Sequence, residues 1–191
     1  MKTILILTCA LVLVLSLAPS AGAQIHLSGP LSGTLAAGEY IVDDHISVDQ
    51  GQSLTIEAGA RLRFAGHYKF NISGLLRALG TEQDSILFTR LSPGITWWSI
   101  RFYDSASDSS ILQYCRIEYG EATGSYPEGR GGGLDIRSAS PTIAHCTLNN
   151  NTAPGYGGAV FADSSNVTFT DCHVVDNTAS HAAGLSISHP G

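Results

Sequence analysis

One stretch of this chain returns at a fixed step, and that repeat limits the fold more than any other feature. Ser140–Ala153, SPTIAHCTLNNNTA, reappears as Asn166–Ala179, NVTFTDCHVVDNTA, at an offset of 26 residues (166 − 140). Under that offset Ile143 meets Phe169, Cys146 meets Cys172, Leu148 meets Val174, and Asn151-Thr152-Ala153 meets Asn177-Thr178-Ala179. SSILQYCRIEYG, from Ser109 to Gly120, fits the same frame with an offset of 31 (146 − 115), placing Leu112, Cys115 and Ile117 in the three apolar positions. The additional residues fall in the polar loop Glu121–Gly131, EATGSYPEGRG, where a stacked architecture tolerates insertions. Glycine-led copies GGGLDI, GGAVF and AAGLSI begin at Gly131, Gly157 and Ala182, and the glycines Gly133, Gly158 and Gly184 are read as one ladder.

The internal grammar of each repeat is that of short strands. Leu134 and Ile136 alternate with Asp135 and Arg137, the period of a half-buried strand. The Ile143-x-x-Cys146 step breaks the alternation and marks a corner near Ala144-His145. Three strands and their corners closing every 25–26 residues describe one coil of a right-handed parallel β-helix, an all-β solenoid whose coils rise by about 4.8 Å. A single coil cannot bury its own apolar face, so stacking is obligatory. The core pairs expected are Leu134/Ile136, Ala159/Phe161 and Leu185/Ile187, each after a glycine that permits a sharp turn. The N-terminal half keeps the rhythm at Ile46/Val48, Leu54/Ile56, Leu62/Phe64 and Ile86/Phe88. In WWSIRF the alternation turns Trp98, Ile100 and Phe102 inward, leaving Trp97 and Arg101 on the opposite side.

Residues 1–23 read as a secretory signal peptide: one Lys, an apolar run, then AGA with cleavage expected after Ala23. Residues 24–191 then form one β-helix domain, and because GLSISHPG opens another coil without a cap, the sequence is expected to be part of something longer. The full chain carries 10 basic and 16 acidic residues, and losing Lys2 leaves 9 − 16 = −7. That balance argues against nucleic acid as a partner, and no apolar run after cleavage is long enough to insert in a bilayer.

Read in order, the residues resemble the bacterial secreted right-handed parallel β-helix proteins of the pectin-lyase-like superfamily. The likeness lies in Gly38, Tyr40 and Val42, then I-x-V-x-x-G-x-x-L-T-I-E-x-G-A-x-L-x-F at Ile46–Phe64, L-x-A-x-G-T at Leu76–Thr81, I-L-F-T at Ile86–Thr89, W-x-I-x-F at Trp98–Phe102 and I-E-Y-G at Ile117–Gly120. A weaker likeness, to the repeats of polymorphic outer-membrane adhesins, rests on GGAV at Gly157–Val160 and on Leu148-x-x-Asn151 and Val174-x-x-Asn177, where that family has Phe in place of the aliphatics. The superfamily includes lyases, hydrolases, adhesins and surface proteins, so the resemblance implies architecture, and with it secretion or surface display, more than an activity.

The candidate chemistry is sparse. Cys115, Cys146 and Cys172 fall at equivalent places and read as a buried ladder of small apolar groups, with side chains parallel rather than facing as a disulfide needs. His145 and His173 sit beside two of them but on the opposite side of the strand, so no metal site is expected, and no cofactor motif is present. Asn151 and Asn177 read as an amide ladder along a corner. Asp135 is expected to stack against Val160 and Ser186, and Asp163 and Asp171 lie on different sides of a coil, so no catalytic carboxylate pair is assigned. What remains is a surface patch of Trp97, Arg101, Tyr103, Asp135 and Arg137, with Tyr126, Glu128 and Arg130 on the long loop, which is expected to fold over that face, and its aromatic and charged groups suit sugar rings. The function expected is a rigid structural or binding module with polysaccharide as the candidate ligand. The alternatives are a polysaccharide lyase or glycoside hydrolase whose catalytic coils lie beyond residue 191, and an autotransporter-like adhesin passenger.

Overall fold

The computed structural model describes residues 24–188, so the expected signal peptide at 1–23 lies outside it. Every strand pair in it is parallel, and the strands close into a three-faced coil. The first face stacks Phe70–Ile72, Ile100–Phe102, Leu134–Arg137, Val160–Asp163 and Leu185–Ser188. The second stacks Gly33–Leu35, Ser53–Glu57, Leu75–Leu79, Ile111–Gln113, Thr142–Ala144 and Thr168–Thr170. The third stacks Ala60–Phe64, Ile86–Arg90, Cys115–Glu118, Thr147–Asn149 and His173–Val175. The long strand Gly38–Val48 joins two faces: its first half pairs with Ala60–Phe64 and its second with Phe70–Ile72. A short ladder, Thr152–Tyr156 on Thr178–His181, closes the last coils. This is the all-β, right-handed parallel β-helix that the repeat describes.

The interior is filled by the inward members of each strand. Ile46, Phe70, Ile100, Leu134, Val160 and Leu185 stack one per coil, and the first five are fully buried. Leu62, Phe88 and Ile117 do the same on the third face. Each such side chain contributes roughly 1.5–3 kcal/mol of burial free energy. Because a coil supplies only a few, the core exists only as a stack.

The corners use left-handed backbone. Tyr114, His145 and Asp171, at φ 48°, 53° and 49°, turn each coil from the second face to the third, so the corner near His145 stands where the broken alternation put it. Tyr119, Asn150 and Asp176, at 59°, 56° and 55°, turn it off the third face. A non-glycine residue pays for this conformation, and part of the cost is offset where Tyr114 and His145 stack at 4.6 Å between ring centroids.

The register around the glycines differs by one residue from the sequence expectation. Leu134 pairs with Val160 and Ile136 with Ala162, so Val160 and Ala162 enter the core and Phe161 points outward. The ladder Gly133–Gly158–Gly184 is therefore corrected: Gly133 stacks on Ala159, which hydrogen-bonds Gly184, while Gly132 bonds Gly157 and Gly158 bonds Ala182. The sharp turn falls earlier too, at Gly131 and Gly157 (φ 61° and 66°), and Ala182 takes the third copy at φ 51°. Gly158 is required for space: a Cβ there would lie 2.5 Å from the carbonyl oxygens of both Ala183 and Thr178.

Candidate ligand-binding site

Register decides which side chains share the outer side of the first face. Asn71, Arg101, Asp135, Phe161 and Ser186 form one outward column, and Arg137, Asp163 and Ser188 form the next. The stacking expected for Asp135, on Val160 and Ser186, is corrected by this: its neighbours are Arg101 and Phe161. Loop Glu121–Gly131, inserted between the third face of one coil and the first face of the next, folds over these columns. It is anchored at its start by Glu121 N to Trp97 O (2.7 Å) and Ala122 N to Thr152 O (3.0 Å), and at its end by Gly131 N to Tyr156 O (3.1 Å).

Under the loop lies a dense charge cluster. Asp135, fully buried, accepts from Arg101 Nη2 at 2.7 Å, from Arg137 Nη2 at 2.5 Å and, through its other oxygen, from Arg137 Nε at 3.1 Å. Glu128 reaches down from the loop to accept from Lys69 Nζ at 3.2 Å and from Arg101 Nη1, with Arg137 Nη1 at 3.8 Å. The hydrogen bond from Arg101, against a smaller opposing effect of burial, holds the Glu128 carboxyl at about 2, well below the usual carboxylate range. Burial alone would lower the Arg101 pKa, but its bond to Glu128 and the charge of Asp135 raise it. Burial raises Tyr103, whose hydroxyl donates to Asn71 Oδ1 at 3.2 Å.

This geometry revises the expected patch. Trp97 faces the core rather than solvent: it is fully buried, stacks on Phe64 at 4.3 Å and donates from Nε1 to Glu118 O at 2.8 Å. Trp97 precedes strand Ile100–Phe102 and bridges Gly120, so the strand's alternation does not reach back to it. Trp98 turns outward instead, its ring against His67 at 4.7 Å and under Lys69 Nζ at 3.9 Å. Arg101 and Asp135 point outward from their strands as expected, yet at 1% and 0% exposure they are roofed by the loop and not free surface. Arg137 and Tyr103 are half-buried, and only Tyr126 among the six, at 77%, is fully presented to solvent.

The open concavity lies one coil further along, against the loop's flank. A groove of about 290 Å³ is lined by Tyr126, Arg130, Tyr156, Phe161, Asp163, Ser186 and Ser188. Its floor is ordered: the Arg130 guanidinium sits 4.0 Å from the Phe161 ring centroid and 4.5 Å from that of Tyr126, and its Nε donates to Pro127 O at 3.1 Å. Tyr126 and Tyr156 present aromatic area, while Asp163, Ser186 and Ser188 present one carboxylate and two hydroxyls. A second depression of about 180 Å³ lies beyond, sharing Tyr126, Arg130 and Tyr156. Sequence reasoning missed Tyr156, Asp163, Ser186 and Ser188, and assigned Phe161 to the core. The signal was present in the alignment of Leu134 with Val160, which sends Phe161, Asp163 and their successors outward.

The repeated polar residues take structural places. Asn151, fully buried, accepts from Gly120 N at 2.9 Å and donates to Ile117 O at 3.0 Å and to Asn177 Oδ1 at 3.0 Å, while Asn177 donates to Leu148 O at 2.9 Å. Cys115 and Cys146 are buried and Cys172 half-buried, all as free thiols. Cys115 N donates to Cys146 Sγ at 3.4 Å, and Cys146 Sγ donates to Leu112 O at 3.4 Å. Hydrogen bonding to Cys115 raises the Cys146 pKa, and bonding to Cys146 raises that of Cys172. Among the described residues no three His, Cys, Asp or Glu side chains converge to hold a metal ion.

Compared with known proteins, the chain matches over residues 41–189 a family model whose description is a right-handed beta helix region. No curated protein and no solved structure matches it.

Proposed function

The chain belongs to the right-handed β-helix family, and from that premise we propose that it is a secreted or cell-surface module that presents a rigid face to polysaccharide. The observation that carries this reading is the groove between Tyr126 on the loop and Asp163, Ser186 and Ser188 on the first face. Its chemistry is that of sugar recognition. The apolar C–H faces of pyranose rings stack on exposed aromatic rings, and ring hydroxyls exchange hydrogen bonds with serine hydroxyls and a carboxylate. Parallel coils also repeat such groups at about 4.8 Å, so an extended polymer meets equivalent rungs as it runs along the stack. Secretion is supported by the signal-peptide pattern of residues 1–23.

The test is binding of the mature chain, residues 24–191, to an array of acidic and neutral polysaccharides, alongside Tyr126→Ala and Tyr156→Ala. Both tyrosines are exposed, so their removal spares the core. Stacking worth about 0.5–1.5 kcal/mol per ring gives a double variant about 5-fold or more weaker for its polymer. Binding to no polymer, or binding indifferent to both substitutions, overturns the proposal.

A further inference from the structure

Three cations converge on a single carboxylate under loop Glu121–Gly131. Lys69 Nζ, Arg101 Nη1 and Arg137 Nη1 surround the Glu128 carboxylate, and Asp135 lies behind Arg101 and Arg137. The five groups sum to one positive charge with Glu128 in place and to two without it. The wall offers more donors than its acceptors use: Arg101 Nε, Ser99 Oγ and Trp98 Nε1 are buried and have no partner among the described residues. Trp98 forms a flat side under Lys69 at 3.9 Å.

The carboxylate arrives on a segment that is weakly tied to the body. From residue 123 to residue 128 the backbone hydrogen bonds stay within the loop, as from Glu128 N to Ser125 O at 2.8 Å and from Arg130 N to Glu128 O at 2.9 Å. That tip is held down by Glu128 itself and by Arg137 Nη2 donating to Pro127 O at 2.8 Å. Tyr126, on the same tip, lines the groove.

We propose that Lys69, Arg101 and Arg137 form a receptor for a ligand carboxylate, that Glu128 fills it as an intramolecular stand-in, and that the loop is a lid an acidic ligand displaces. This rests on the reading of the outer face as a polysaccharide surface and narrows the polymer to one whose sugars carry carboxylates. A planar carboxylate accepting from guanidinium and ammonium donors is what such a pocket selects over a hydroxyl. A neutral polymer would engage only the open groove beside the lid.

The experiment uses residues 24–191 and two variants, Glu128→Ala, which empties the receptor, and Glu128→Gln, which keeps the lid's shape but removes its charge. Propionate, a carboxylate with the carbon count of the whole Glu128 side chain, is expected to raise the melting temperature of Glu128→Ala by several degrees over equimolar chloride and to leave the wild type unmoved. An oligogalacturonate probe is expected to bind Glu128→Gln at least 10-fold more tightly than wild type, and Lys69→Met in the Glu128→Gln background is expected to cancel the gain. No propionate rescue and no gain for oligogalacturonate overturn the receptor. Equal binding of neutral and acidic oligomers to wild type and Glu128→Gln also overturns it, while leaving the polysaccharide reading intact. Propionate rescue with no polymer bound by any variant upholds the receptor and sinks that reading instead.

Discussion

Arg101 Nη2 lies 2.7 Å from Asp135 Oδ2 on the next coil, with the two side chains 1% and 0% exposed. A fully buried pair of this kind matters less for the energy it adds than for what remains when one member is lost. Asp135→Ala leaves buried Arg101 with Glu128 as its remaining carboxylate, strips Arg137 of its shortest bond, and is expected to cost roughly 3–5 kcal/mol in urea unfolding. Arg101→Met combined with Asp135→Leu is expected to cost less than Asp135→Ala alone. A double variant worse than the single would contradict the pairing.

Asn151 ties three coils through its amide, bonding Gly120 N, Ile117 O and Asn177. Asn151→Ala strands buried backbone groups, at about 1–3 kcal/mol. Asn177→Ala, nearer the surface of the stack, should lose less. Equal losses measured by thermal unfolding would show that burial does not set the value of this ladder.

Glycines in this chain are not interchangeable. Gly158→Ala drives a Cβ to 2.5 Å from two backbone carbonyl oxygens and is expected to destabilise by about 1–3 kcal/mol or more. Gly184→Ala meets only Val174 Cγ1 at 3.7 Å and is expected to stay within about 0.5 kcal/mol of wild type. Reversal of that order would refute the register described for the glycine corner.

Glu128 couples the lid to acid. Its folded pKa, held at about 2 chiefly by Arg101, lies below the ordinary carboxylate value of 4.5. The stability it contributes is therefore present above about pH 4.5 and lost as pH falls through about 2. Its side chain is 40% exposed, so solvent screening keeps the effect small. Wild type should be more stable than Glu128→Gln at pH 6 and indistinguishable from it near pH 2. A difference that grows on acidification would contradict the ion pair.

Thiol reactivity reports the cysteine column. Hydrogen bonding along the cysteine column, and then burial, raise the Cys146 and Cys172 thiols, so disulfide-exchange reagents at pH 8 should label the mature chain slowly, beginning at half-buried Cys172. Rapid labelling of Cys115 or Cys146 in native buffer would mean that the column is open.

The axial stacking of Leu148 with Val174 and of Asn151 with Asn177 was legible in the sequence because both pairs repeat without a gap. The corner at His145 was legible because the alternation breaks there. Phe161 was misplaced because the 25-residue step from Gly133 to Gly158 was followed there, although the 26-residue offset of the rest of the repeat sets Val160 and Ala162 opposite Leu134 and Ile136. Trp97 misled because alternation was carried past the start of its strand. That loop Glu121–Gly131 covers this face was legible from its place between coils, but that it buries Arg101 and Asp135 depends on its side-chain contacts, which no local pattern encodes. The groove needed both that loop's placement and the corrected register.

The register of the first face underlies the charge cluster, the lid and the groove together, and nuclear Overhauser contacts between backbone amides and α-protons in uniformly labelled protein measure it directly. The structure predicts parallel cross-strand contacts linking Arg101, Asp135, Phe161 and Ser186 in one column. Contacts placing Asp135 beside Val160, or an antiparallel pattern between these strands, would contradict it.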